Sequence, residues 1–393
     1  MRPPSMRISR SVKFDADQPR RNTPGGYMKM QPLISSTEPA TDHRGHVVQT
    51  VGPEGAEIDG RVYQNFNLVE FDGRRFIFSH RAILTLVVIA ACNAGCKFCS
   101  NEITFTPSGP YLSWNARLAR VKEFAQLAGV TKIAYTGGEP TLHPQKFVDL
   151  VTNMSRGFAR SRAHTNGWGL FKPVEVRGHT TELLPALINA GLTGISISVA
   201  HHDPGVNRQV MALPRSWGGM SDAALSAVAE CASDHFTPRL SCVLTEDGVS
   251  SVDDIIDYLT WGRRLGFRKF IFRTCSEIPD GFKKATDFSA YNDSNARSIE
   301  PISREFQDRL GAELVYRQRK SDSKVDVFKW EDVTVDIDES SEEEDPDPKI
   351  RRLNVMPDGV TYTSWISPTS NLFDDERPIV DESITKEKLR LLK

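Results

Sequence analysis

The chain has no apolar run of the length a membrane span requires, and its first residues lack the charged-then-apolar order of a signal peptide. It also lacks a charge surplus, with 49 Lys and Arg against 51 Asp and Glu and a net charge of -2. No global basic field draws it to nucleic acid or a lipid surface, which disfavours a tRNA-modifying role. Cysteine is scarce, at 6 in 393 residues, and none lies beyond Cys275. That number and spacing do not make a disulfide framework, so a reducing, cytoplasmic setting is expected. With 39% hydrophobic and 25% charged residues, the chain can still bury a sizeable core.

Three of the six cysteines share one run, Ala91-Cys92-Asn93-Ala94-Gly95-Cys96-Lys97-Phe98-Cys99, directly after the apolar residues 83–90. Three thiolates on one short loop are a metal site. Iron–sulfur clusters are normally held by four cysteines. A trio with no further Cys until Cys231 suggests a cubane with one iron left for something else. The alternatives are a structural zinc knot completed by His80 or His143, or ordinary buried thiols.

Residues 1–60 are rich in Pro, Gly, Arg and Ser and read as a largely disordered tail. Residues 61–82 read as a β-hairpin cap turning at Asp72-Gly73. Between 83 and 276 strands and helices alternate. Strands are expected at 83–90, 131–136, 158–165, 193–200, 238–244 and 268–274, with helices near 113–128, 144–155, 181–190, 221–233 and 251–265. Ser113, Ser221 and Ser251 are the expected N-caps. Repeated βα units demand right-handed crossovers and a parallel sheet. The expectation is an α/β fold, a partial (β/α)6 TIM-like barrel. Residues 277–369 form a small C-terminal α+β extension, with a helix near 302–311 and strands at 313–319, 325–337 and 350–365. The acidic residues 338–347 read as a solvated loop, and 370–393 as a polar tail.

In a βα barrel the active site is built where the strands end. The second strand runs into Thr136-Gly137-Gly138-Glu139-Pro140, where two glycines let backbone approach a ligand and the carboxylate can accept from an ammonium. The third ends in Thr165-Asn166-Gly167. By the two-residue period, Ser196 and Ser198 of the fourth strand, Arg239 and Ser241 of the fifth, and Arg273 and Cys275 of the sixth face inward, while Cys242 faces outward. A polar interior is odd for a packed barrel and natural for a ligand cavity.

The CxxxCxxC spacing, the aromatic before its last Cys, the Gly-Gly-Glu-Pro segment and the Thr-Asn-Gly turn together resemble the radical S-adenosylmethionine enzymes over residues 83–275. The resemblance implies that Cys92, Cys96 and Cys99 hold a [4Fe-4S] cluster whose open iron chelates S-adenosyl-L-methionine. It further implies that Gly137, Gly138, Glu139 and Pro140 bind the cofactor's amino group and that Ser198 contacts its ribose or carboxylate. Ser196 joins Ser198 as a cofactor-binding candidate, Asn166 is a candidate contact to cofactor or substrate, and the inward Arg273 is placed to pair with the cofactor carboxylate or an acidic substrate. Phe98 packs near the adenine, and Cys275 is the candidate catalytic hydrogen-atom donor. An electron donor such as flavodoxin or ferredoxin is implied as partner. With no cysteine after 275 for an auxiliary cluster, a redox-neutral or reductive outcome is favoured. No helix set for peptide docking precedes the barrel, which tilts the substrate toward a small polar molecule, sugar- or nucleotide-like, in specialised metabolism. Radical modification of a ribosomally made peptide, or a non-enzymatic iron–sulfur or zinc protein, remain the other two readings.

Overall fold

The hairpin expected around Asp72-Gly73 forms, and its second strand continues far past the expected cap. β1 (Phe66–Phe71) pairs antiparallel with β2 (Arg74–Val87), a single strand of 14 residues. Asp72 and Gly73 take φ of 50° and 72°, the mirror-image turn whose twist suits a two-residue hairpin. The boundary placed at 82 is thus no break, because hairpin arm and first barrel strand are one element.

The computed structural model describes residues 40–41, 47–51, 55–58, 61–64, 66–320, 323–340 and 349–378, with backbone alone for 40–64. The expected tails over 1–39 and 379–393, and the acidic residues 341–348, lie outside the described residues. Residues 40–64 carry four short strands in an antiparallel sheet, which corrects the disordered-tail expectation there.

After β2 come β3 (Lys132–Thr136), β4 (Arg160–Thr165), β5 (Gly194–Ser198), β6 (Thr237–Val243) and β7 (Lys269–Arg273), each parallel to the one before. The helices are α1 (Ser100–Ile103), α2 (Ala116–Leu127), α3 (Pro144–Met154), α4 (Leu183–Asn189), α5 (Pro204–Val210), α6 (Asp222–Glu230), α7 (Val252–Arg264), α8 (Asp287–Asn295) and α9 (Ile299–Leu310). Ser221 caps α6 and Ser251 builds a full capping box with Asp254 on α7. Asn115, not Ser113, caps α2, accepting from the Leu118 amide at 3.1 Å. The outward positions of the strands, among them Leu84, Tyr135, Ile197, Leu240 and Phe272, are fully buried in the main hydrophobic core.

The C-terminal extension differs from the expectation in a way that matters for the site. The strand expected over 325–337 is two, β9 (Ser323–Trp330) and β10 (Val333–Ser340), turning at Glu331 with φ of 50°. Val325 and Val327 before the turn and Val333, Val335 and Ile337 after it are apolar in the same phase; Phe328, Lys329, Trp330 and Glu331 break that phase, and the single expected strand runs across the break. With β8 (Glu313–Lys320) they form an antiparallel meander, and β10 then pairs parallel with β7. On the opposite edge β11 (Ile350–Val355) pairs parallel with β2, and β12 (Thr361–Tyr362) returns against β11. The extension is therefore part of the barrel sheet, widening its parallel run to β10-β7-β6-β5-β4-β3-β2-β11.

Two polar stretches also differ. Asp338 and Glu339, read as the start of a solvated loop, lie in β10, where Glu339 accepts from Lys324 at 2.5 Å and from the Ile299 amide at 2.9 Å. The first part of the expected polar tail packs down, with Leu372 and Phe373 buried and the Arg120 guanidinium 4.2 Å from the centre of the Phe373 ring.

Candidate active site

The cysteine loop leaves β2 along a stem, residues 88–91, that the glycine-rich loop lies against. The Gly138 amide donates to the Ile89 carbonyl at 2.6 Å and the Glu139 amide to the Ala91 carbonyl at 2.9 Å. A Cβ on Gly137, whose φ is 141°, would stand 2.4 Å from the Ile89 oxygen, and one on Gly138 only 1.9 Å from the Ala91 oxygen. The close approach that requires these glycines is to the stem's own backbone, where the sequence suggested a ligand. Asn101, just past the cysteines, donates to the Gly137 carbonyl at 2.8 Å and ties the two loops a second time.

Glu139 is the knot of this region. Its side chain is 1% exposed; Oε1 accepts from the Thr141 amide at 2.9 Å, the Thr141 hydroxyl at 2.6 Å and the Thr165 hydroxyl at 2.5 Å. Oε2 accepts from the Asn166 amide at 2.7 Å, so one oxygen is saturated and the other has room for one more donor. Burial pushes the carboxyl up, and these donors pull against it. Asn166 in turn donates to Asn93 Oδ1 at 2.8 Å and accepts from the Trp168 amide at 3.0 Å. Three of the predicted segments, the cysteine loop, Gly137 to Pro140 and Asn166, are thus one hydrogen-bonded block.

Cys92, Cys96 and Cys99 are half-buried free thiols. Burial, with Glu139 and Cys99 adding to it, pushes Cys92 up to about 12. Burial and the other two sulfurs raise Cys96 as well. Ionising all three together is therefore unfavourable without a bound cation, the condition a thiolate-ligated cluster meets. Among the described residues no three His, Cys, Asp or Glu side chains, His80 and His143 included, are placed to hold a single metal ion. Cluster ligands each bind a different iron, so they surround a body and need not converge on a point. In donor chemistry and mutual coupling the trio fits such a cluster.

Phe98 packs with Ala94, Cys96 and Trp217 against Ala200, Val210, Met211 and Leu213. Lys97 reaches Asp247 at 3.1 Å and stands 5.4 Å from the Tyr291 ring centre, while the Tyr291 hydroxyl donates to the same Asp247. Helix α8 thereby braces the cysteine loop from outside the barrel, a contact nothing in the sequence reading anticipated. Cys275 lies just past β7, 3% exposed, and burial pushes its thiol up to about 12, with Arg297 and Asp247 as its charged neighbours.

Inside the barrel, register places Ser196 level with His164 on β4 and with Arg239 on β6, and sets Arg273 beside Asp338 and Ile271 beside Asp336. Arg162, His164, Ser196, Ser198, Arg239, Ser241, Arg273, Asp336 and Asp338 share this inner face. Arg239 Nε donates to Ser196 Oγ at 2.5 Å and its Nη1 lies 3.8 Å from Asp336; Arg273 Nε lies 3.4 Å from Asp338. The side chains of Arg239, Asp336, Arg273 and Asp338 keep 14%, 29%, 31% and 18% exposure, so they retain access to solvent where a packed barrel would bury aliphatics. Burial, then Arg162 and Arg273, lowers Arg239 to about 9. His164 is held well below the usual imidazole range by burial and by Arg273, Arg239 and Arg162, and stays neutral.

The inward positions expected for Ser196, Ser198, Arg239 and Arg273 are those observed. Ser196 and Arg273 already have protein partners, Arg239 and Asp338, which narrows the cofactor contact the resemblance assigns them. Sequence reasoning missed Arg162, His164, Asp336 and Asp338. Continuing the two-residue period through β4 finds the first two; the acids came from strands assigned to another domain.

Loop block, trio of neighbouring thiols and polar barrel interior are the features an iron–sulfur α/β-barrel enzyme requires. Residues 86–245 match the family model described as Radical SAM superfamily. Over those residues the chain carries a radical SAM domain, and proteins of that superfamily bind a [4Fe-4S] cluster and S-adenosylmethionine. Molybdenum cofactor biosynthesis protein 1 of Bos taurus is 32% identical over 124 residues, 30% of this chain and 18% of that protein. GTP 3',8-cyclase of Thermodesulfovibrio yellowstonii is 25% identical over 190 residues, 47% of this chain and 53% of that one. The chain thus spans between 18% and 53% of the length of these curated relatives. Among solved structures, Streptococcus suis SuiB bound to S-adenosylmethionine aligns over 79% of this chain and 65% of that chain, at 12% identity and a TM-score of 0.46. No helix among the described residues is long and apolar enough to cross a membrane.

Proposed function

We propose that this chain is a radical S-adenosylmethionine enzyme acting on a small, polar, nucleotide-like molecule held in the barrel, with a redox-neutral or reductive outcome. The observation that carries the substrate class is the hydrated inner face of Arg162, Arg239, Arg273, Asp336 and Asp338. The names of the two curated relatives, a GTP cyclase and a cofactor-biosynthesis protein, support it.

Cys92, Cys96 and Cys99 hold the cluster in this reading, and the free position on Glu139 Oε2 and the Gly137 backbone lie beside it to receive the cofactor. Cluster and cofactor, when bound, would supply one-electron reductive chemistry, with flavodoxin or ferredoxin as electron source. The protein's own contribution is orientation. The Glu139 and Asn166 hydrogen bonds fix the loops before anything binds, which removes an ordering cost from the binding step. Phe98 and Trp217, packed beside Cys96, give the mouth an apolar wall that excludes water.

The test is anaerobic reconstitution of the full chain with iron, sulfide, reductant and S-adenosylmethionine, followed by quantifying 5'-deoxyadenosine. It should accumulate, and faster with nucleotides than with sugars or short peptides. A fully loaded protein that forms none would overturn the enzyme reading; stimulation by peptide alone would move the substrate to peptide modification.

A further inference from the structure

We propose that Arg162, Arg239 and Arg273 form an anion site that takes the phosphate groups of the substrate. The proposal rests on the small-molecule reading above and narrows it to a phosphorylated substrate.

The three guanidinium groups come from β4, β6 and β7 and share the inner face of the sheet. Two carboxylates oppose them, both on β10. Asp336 meets Arg239 at 3.8 Å and Asp338 meets Arg273 at 3.4 Å. Charge-assisted hydrogen bonds close at about 2.7–2.9 Å. The acids therefore orient the arginines without saturating them, and each fork has five N–H donors to place. Arg239 places its Nε on Ser196. Arg162 Nη1 is buried with no hydrogen-bond partner, an orphan donor of the kind native interiors seldom leave.

A structural plug of ion pairs across the barrel would look different. It would have short bidentate contacts, balanced charge and no water. Here three cations face two anions, His164 among them adds no charge, and the four paired side chains keep 14–31% exposure. Phosphate matches what is left over. Its tetrahedral oxygens accept from several forks arriving from different directions, whereas a carboxylate offers two oxygens in one plane. Arg162 and Arg239 lie within their strands, short of the ends from which the cysteine and glycine loops emerge. That leaves the mouth to the cofactor.

Calorimetry on the full chain tests this without the cluster, using inorganic triphosphate, a nucleoside triphosphate and its parent nucleoside as titrants. Both triphosphates should bind, more weakly as salt rises, and the nucleoside at least tenfold more weakly. Arg162→Gln, and Arg273→Lys, which keeps the charge and loses the fork, should each weaken triphosphate binding about tenfold with the melting temperature retained. Arg264→Gln, the same charge change on the outer helix α7, should leave binding as it is. Equal affinity for nucleoside and triphosphate overturns the proposal, as does wild-type binding in the two folded barrel variants. Displacement of triphosphate by S-adenosylmethionine overturns it too, because the anion would then be the cofactor's carboxylate. Triphosphate binding as expected in a reconstituted protein that forms no 5'-deoxyadenosine keeps the anion site and removes the enzyme reading. Cofactor cleavage stimulated by a phosphate-free substrate, with no triphosphate bound, does the reverse.

Discussion

The mouth of the barrel and its interior are both polar, and they are polar in opposite ways. At the mouth, Glu139, Asn166, Asn101 and the stem at 88–91 are joined by hydrogen bonds of 2.5–2.9 Å, most with a backbone partner, and little is left for solvent. In the interior, the ion pairs stand at 3.4–3.8 Å and the side chains keep contact with water. Closed, nearly saturated contacts fix a shape, while loose ion pairs hold a field. A group that is the same in every turnover suits the first, and a ligand that must enter and leave suits the second.

Three changes sharpen or break this contrast. The largest effect is expected from replacing Cys92, Cys96 and Cys99 together by Ala. Iron–sulfur absorbance and 5'-deoxyadenosine formation should vanish entirely while circular dichroism still reports a folded barrel. Retained iron in the triple variant would remove the mouth from the chemistry.

Glu139→Gln comes next, because an amide cannot accept at both ends of a site that presents only donors. With one amide nitrogen turned against the Thr141, Thr165 or Asn166 donors, urea unfolding should show a loss of about 3 kcal/mol. An unchanged midpoint would mean the mouth is not the fixed block described above.

The smallest effect belongs to the interior. His164 has a folded pKa lowered from 6.5, so the unfolded chain takes up a proton that the folded one refuses. The group's contribution is fully present above 6.5 and is lost as pH falls below it, by at most about 2 kcal/mol between about pH 7.5 and about pH 5. His164→Gln should flatten that slope. A variant as acid-sensitive as the wild type would place the proton uptake elsewhere.

The same contrast decides what could be read from sequence. Mouth residues are contiguous, and their Cys, Gly and Asn types are hard to replace, so Cys92, Gly137 and Asn166 stood out. Even there the structure adds a cause the sequence did not show, since a Cβ on Gly138 would stand 1.9 Å from the Ala91 carbonyl oxygen. The interior is assembled from one residue in two on strands far apart in the chain. Parity found Arg239 and Arg273, but Asp336 and Asp338 lie on a strand that the sequence merged with its neighbour and assigned to a separate extension, so their pairing with β7 was out of view. Helix α8 was missed for another reason: Asp287–Asn295 has almost no apolar stripe, and it is held by the Tyr291 ring under the Lys97 ammonium and by Asn292 donating to the Lys97 carbonyl.

The pairing of β11 with β2 sets a timetable. Leu353 lies beside Leu84, so the strand that carries the cysteine loop gains its outer neighbour only after more than two-thirds of the chain has been made. Strands β2 to β7 can assemble as they leave the ribosome, yet the stretch of β2 from Ile83 to Leu86, next to the cysteine loop, still lacks its partner on that side. Metal arriving early would meet a loop on an unfinished edge strand, and metal arriving late meets a framed one. Framing of the cysteine loop is thereby tied to synthesis of residues 350–355, and a truncation before residue 350 should yield a polypeptide that contains every cysteine but lacks that flank.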